Sequence, residues 1–125
     1  RIGLALSDPL SIIAKPLKII DRRVFPDFIV KILNVAIEKD VNKIVVGVPF
    51  TLRGTRSKQT DIVLQFIEEL TLAGKIPVFG QDERLSTIAA EKSLREQGVK
   101  TGHEKGRVDE TAAAIILQEY LDTQS

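Results

Sequence analysis

The chain has 125 residues, 43% hydrophobic and 28% charged, enough for one substantial core and too few for two domains to be expected. It holds no cysteine and a single histidine, His103, which excludes a disulfide framework, a thiolate nucleophile, cysteine-ligated zinc and a multi-histidine centre, and leaves oxygen-ligated metals. Its 18 basic and 17 acidic residues balance in bulk, and it has neither an apolar run of bilayer length nor a signal pattern, so a soluble, cytoplasmic protein with no use for a membrane is expected.

Residues Arg1 to Ser7 alternate Ile2, Leu4 and Leu6 with small residues, which predicts a strand with one buried face. The chain opens on this strand without an initiator methionine or polar leader, so it reads as starting inside a domain. Asp8-Pro9 supplies a turn, and Ser11 to Ile20 gives a second extended stretch broken at Lys15-Pro16; together they predict an antiparallel meander. From Phe25 to Lys39, Phe28, Ile29, Ile32, Leu33 and Ala36 recur on one helical face, with Asp27 near the positive end of the helix dipole. Lys43 to Phe50 is a nearly continuous β-branched run, expected of a central strand covered on both faces and ended by Pro49. After a loop through Gly54, a second helix is predicted over Ser57 to Ala73. Ile62, Val63, Phe66, Ile67 and Leu70 form its apolar stripe, and Gly74 stands where a C-terminal cap belongs.

Lys75 to Gly80 predicts another buried strand, and Gln81 to Leu85 leave its C-terminal end, where open α/β sheets place ligands. Ser86 or Thr87 caps a third helix to Gln97, Gly98 to Arg107 reads as a mobile loop, and Val108 to Asp122 as a final helix. There is no internal repeat, and the order of elements indicates a mixed sheet with helices packed on it.

The chemistry concentrates between Val78 and Thr87, where an apolar run stops at Asp82-Glu83-Arg84. Adjacent carboxylates at a strand end bind divalent cations, and an arginine beside them contacts phosphates; a surface ion pair after a strand is the plainer alternative. Asp109 is an anomaly of the last helix. At about 100° per residue it falls within the apolar stripe of Ala112, Ala113, Ile116 and Tyr120, away from the polar Thr111, Gln118 and Asp122. A carboxylate there needs a partner, which is either a metal or the helix N-terminus and a nearby arginine. If Asp82-Glu83 and Asp109 converge, two magnesium or manganese ions held between them would drive an in-line phosphodiester displacement.

Basic residues cluster at Arg22-Arg23, at Arg53 with Arg56 and Lys58, and at Lys100, Lys105 and Arg107; each cluster is either a solvated face or a phosphate-contacting surface. Gly47 to Gly54 lacks the Gly-Lys-Ser/Thr ending of a Walker A loop, and its glycines are too far apart for a dinucleotide fingerprint. A structural turn or a backbone contact to nucleic acid remains. His103 falls in the Gly98–Arg107 loop, where exposure is its ordinary state and guiding water or substrate the functional alternative.

Four separated stretches, Arg1-Ile-Gly-Leu-Ala-Leu-Ser-Asp-Pro9, Gly47-Val-Pro-Phe-Thr-Leu-Arg-Gly54, Asp82-Glu-Arg-Leu-Ser-Thr87 and Val108-Asp-Glu-Thr-Ala-Ala-Ala-Ile-Ile-Leu-Gln-Glu-Tyr-Leu121, resemble the YqgF (RuvX) family. Its members are RNase H-like proteins regarded as pre-16S rRNA nucleases and Holliday-junction resolvases. The resemblance spans nearly the whole chain. It implies a single α/β domain over residues 1–125, with an RNase H-like mixed sheet of antiparallel meander plus parallel strands flanked by helices. It also implies carboxylate-bound metals, consistent with the two magnesium or manganese ions expected above, with catalytic roles on Glu83 and Asp109 and Asp82 as their neighbour. The family pattern carries a further aspartate in an Asp-x-Gly turn on a strand just ahead of Arg1, which implies that the natural protein continues upstream. Asp8 belongs to the following turn in that pattern and is no substitute.

The expected activity is hydrolysis of phosphodiester bonds in precursor 16S rRNA during ribosome biogenesis, with Arg53, Arg84, Lys105 and Arg107 on the nucleic-acid backbone and ribosomal particles as further partners. The rivals are a resolvase acting on branched DNA and a non-catalytic module that binds nucleic acid or ribosomes.

Overall fold

The computed structural model describes residues 2–24, 26–51, 53–83 and 105–124, the last helix by its backbone alone up to Thr111. The chain folds as two compact units, residues 1–23 with 85–125 and residues 24–84.

In the first unit, β1 (Ile2–Ser7) pairs antiparallel with β2 (Ala14–Ile20), from Ile2 opposite Ile20 to Ser7 opposite Ala14. The predicted break at Lys15-Pro16 is absent: β2 runs through both residues. The strain is taken up by a shift in register, with Lys18 opposite Leu4 and Pro16 opposite Ala5, so that Leu17 is the extra residue of a bulge. A bulge accommodates a proline that has no N–H for the ladder. The strand also starts later than Ser11. Asp8 draws the amides of Ile12 and Ile13 onto its Oδ1 at 2.7 and 2.9 Å, and Ser11 turns through φ 57°, which keeps these residues in the connection.

Helix α3 (Lys105–Gln124) packs on both strands, with Ile116 buried and Ala112, Ala113 and Tyr120 half-buried as the stripe predicts. It begins at Lys105, inside the expected loop, because a single glycine such as Gly106 costs a helix only about 1 kcal/mol. Gln118, expected on the polar side, instead clips the helix to the start of β2. Its Nε2 donates to the Ile12 carbonyl at 2.8 Å, and its Oε1 accepts from the Ala14 amide at 2.9 Å. The strand start leaves that pair of backbone groups open, and a primary amide matches both.

The second unit is built on β3 (Ile44–Val48) and β4 (Val78–Asp82), paired in parallel from Ile44 opposite Val78 to Val48 opposite Asp82. Helix α1 (Phe28–Glu38) starts after a turn at Pro26-Asp27, with Asp27 at its N-cap but making no side-chain cap bond. It ends with Asp40 at φ 56°. There the Asp40 amide donates to the Ile37 carbonyl at 3.2 Å and the Val41 amide to the Ala36 carbonyl at 2.8 Å, the two bonds of a Schellman ending.

Helix α2 (Lys58–Ala73) is capped by Ser57 and Thr60 reciprocally and packs on α1, β3 and β4. Its buried face is centred on Leu70 and Thr60, while Ile62 of the expected stripe is 41% exposed. Phe66 stacks on Phe28 of α1, with ring centroids 5.8 Å apart. Gly74 closes α2 in extended geometry at φ −121°, so the reason for glycine is space: a Cβ would meet Leu33 Cδ2 at 2.7 Å.

Two expectations for the strands are corrected. Of β3 only Val48 is buried and the rest is half-buried, although α2 packs on both β3 and β4. β4 is displaced toward the acids and runs on through Gln81 to Asp82, since backbone pairing with β3 continues past the last apolar residue. The predicted helix from Ser86 or Thr87 to Gln97 lies outside the described residues. No described helix is long and apolar enough to cross a membrane.

Candidate functional site

The two parallel strands of the second unit end side by side. Val48 closes β3 opposite Asp82, and the next amide, that of Glu83, donates to the Val48 carbonyl at 3.2 Å. Successive residues of a strand face opposite sides, so the adjacent acids diverge into different surroundings. Asp82 is exposed and Glu83 is half-buried. Burial, and then the neighbouring Asp82 charge, push the Glu83 carboxyl above the usual carboxylate range.

The Glu83 carboxylate has the donor chemistry of one ligand to a hard divalent cation. Its oxygens are of the kind magnesium and manganese take, and it stands half-buried at the strand end with a second carboxylate, Asp82, next to it in the chain. Among the described residues no group of three or more acidic or histidine side chains is assembled.

The chain leaves β3 through Pro49 into a tight turn. Phe50 bridges Arg56 antiparallel, the Thr51 amide donates to the Thr55 carbonyl at 3.0 Å, and the Gly54 amide donates to the Thr51 carbonyl at 2.8 Å. Gly54 stands at φ 83°, where a side chain would be strained. The turn displays Arg53 in solvent, and among the described residues Arg53 makes no ion pair. Arg56 of the same cluster is committed, with its Nε and Nη2 on Asp61 Oδ1 at 2.8 and 2.5 Å. Arg23 is likewise held by Asp21 at 3.3 Å.

Asp109 lies on α3 in the other unit, about two turns ahead of buried Ile116. Lys105 and Arg107 occupy the first turn of that helix; the side chains of all three, and Arg84, Lys100 and His103 altogether, lie outside the described residues. Asp8 is occupied as a brace of the β1–β2 connection. The amides of Ile13 and Ile12 on its carboxylate hold it below its ordinary value of 3.8.

Sequence reasoning passed over Thr60. It is wholly buried, its hydroxyl donates to the Pro49 carbonyl, and it accepts from the Ser57 amide at 3.0 Å. The signal was present in Ser57-x-x-Thr60, a variant of the capping box with threonine in place of glutamate.

A family model described as RuvX, Holliday junction resolvase, matches residues 1–123. A relative from Chloroflexus aurantiacus is 42% identical over 124 residues, 99% of this chain and 81% of its own length. One from Roseiflexus sp. is 41% identical over 99% of this chain and 88% of its own length. One from Desulforamulus reducens is 42% identical over 98% of this chain and 89% of its own length. All three carry the name "Putative pre-16S rRNA nuclease". With a family match along nearly its whole length and relatives of this similarity, the chain belongs to the RuvX (YqgF) family, whose RNase H-like α/β architecture accounts for its antiparallel and parallel sheets flanked by helices.

Proposed function

We propose that the protein is a divalent-metal-dependent nuclease that hydrolyses phosphodiester bonds in precursor 16S rRNA, with nucleic acid, and ribosomal particles carrying it, as its partners. The observation that carries this reading is the Asp82–Glu83 pair at the C-terminal end of paired parallel strands, in a chain whose relatives are named for that substrate. Glu83 and Asp109 are the residues proposed as magnesium or manganese ligands, with Asp82 as the chain neighbour of Glu83. The cation supplies Lewis-acid activation of water and charge neutralisation at the phosphodiester.

The chain's own residues divide the remaining work. The β3–β4 ladder orients the Glu83 backbone, its half-buried setting keeps bulk water from screening the carboxylate, and Arg53 holds the nucleic-acid backbone by charge-assisted hydrogen bonds. Arg84, Lys105 and Arg107 are the further residues proposed to contact the nucleic-acid backbone. The test is cleavage of precursor 16S rRNA with magnesium or manganese. Glu83→Gln and Asp109→Asn should each abolish it, and undiminished cleavage in either variant removes that residue from the mechanism.

A second reading, resolution of branched DNA, is favoured by the description of the family model as a Holliday junction resolvase. Metal-assisted hydrolysis does not require a 2′-hydroxyl, so parallel cleavage of precursor rRNA and a four-way DNA junction decides between them.

A further inference from the structure

Thr60 is the single buried polar residue among the described ones, and its hydroxyl is fully engaged. A threonine hydroxyl has one proton and two acceptor sites. Its proton goes to the Pro49 carbonyl, which can only accept. The Ser57 amide donates to it at 3.0 Å, and the Ser57 hydroxyl at 3.0 Å must therefore be the second donor, while Ser57 Oγ accepts the Thr60 amide at 3.2 Å.

That one oxygen joins both ends of the segment from Pro49 to Ser57, the segment whose turn carries Arg53. Pro49 also directly follows Val48, whose carbonyl receives the Glu83 amide. We infer that Thr60 is the positioning residue of the site: through Pro49 it holds the end of β3 on which Glu83 is hung, and through Ser57 it closes the base of the Arg53 turn. Thr60 touches no substrate. An apolar residue of the same shape would fill its space but leave the Pro49 carbonyl and the Ser57 amide without a buried partner.

The inference rests on Glu83 and Arg53 being the working residues, and its test separates the two claims. Amide hydrogen exchange and precursor-rRNA cleavage are measured in the full chain for Thr60→Val, Thr60→Ser and Ile32→Val, the last a control that trims a buried residue of α1 away from the site. Thr60→Val should raise exchange at the Glu83 and Gly54 amides about tenfold over Ile32→Val, lower the cleavage rate about tenfold, and be rescued by Thr60→Ser. Exchange at those amides no faster than in the control overturns the inference, as does a cleavage rate equal to that of Ile32→Val at matched loss of Tm. If Thr60→Val does not fold, Ser57→Ala takes its place: faster exchange at Gly54 supports the inference, and unchanged exchange overturns it. Retained cleavage in Glu83→Gln refutes the assignment of Glu83 while leaving the exchange result to decide the role of Thr60.

Discussion

Glu83 hangs from Val48: its amide donates to the Val48 carbonyl at 3.2 Å, one step beyond the last paired residues of β3 and β4, Val48 and Asp82. Val48 is also the buried residue of β3, in contact with the helix side of the sheet. The backbone of a candidate catalytic acid is therefore referenced to the core rather than to a free loop.

The packing beneath that bond is tight. A Cβ on Gly80 would sit 3.1 Å from Val48 Cγ2 and 3.6 Å from Ile67 Cδ1. Gly80→Ala should cost about 1 kcal/mol through overpacking. In a Val48→Ala background the clash disappears, so a double-mutant cycle by urea denaturation should give a favourable coupling of about 0.5 kcal/mol or more. Strict additivity would contradict the geometry.

Glu83 places function against stability. Its folded-state pKa is raised above 4.5 by burial and by Asp82, so the native state binds its proton more tightly than the unfolded chain does. Stability then falls as pH rises from the unfolded value through the folded one, and the ionised carboxylate is a liability above it. In the absence of metal, Glu83→Gln should raise Tm at neutral pH and leave it nearly unchanged at about pH 3, where the carboxyl is protonated in the folded and unfolded states alike. Thermal melts at both pH values check the sign.

Asp8 has the opposite sign. The amides of Ile13 and Ile12 hold its pKa below 3.8, so its contribution is present above that value and is lost as pH falls through the lower folded one. Asp8→Ala should lower Tm at neutral pH, by an amount that shrinks as pH falls through the range in which the folded carboxyl takes up its proton. Asp8→Asn retains an acceptor and should flatten the acid dependence.

Asp40 occupies a left-handed position at φ 56°. Glycine enters that region without steric cost, whereas a β-branched residue resists it. Asp40→Gly should stabilise the protein by about 0.5 kcal/mol, and Asp40→Val should destabilise it, so the order of Tm is Gly, Asp, Val. Reversal of the outer two would mean that the Asp40 side chain itself holds the helix end.

Periodicity and capping within the sequence determined the element types. The apolar recurrence of Phe28 to Ala36, the Ser57 cap and the β-branched Ile44 to Val48 are governed by near neighbours along the chain, and so was the concentration of acids beyond Phe79. Tertiary structure decided what each residue meets. It carried β4 through to Asp82 by pairing with β3, separated exposed Asp82 from half-buried Glu83, buried Thr60 where Ile62 was expected, and gave Gly74 its reason in Leu33. Burial and register depend on partners many residues away in sequence, and hydrogen-bond pairing between strands can extend past the apolar pattern that reveals them.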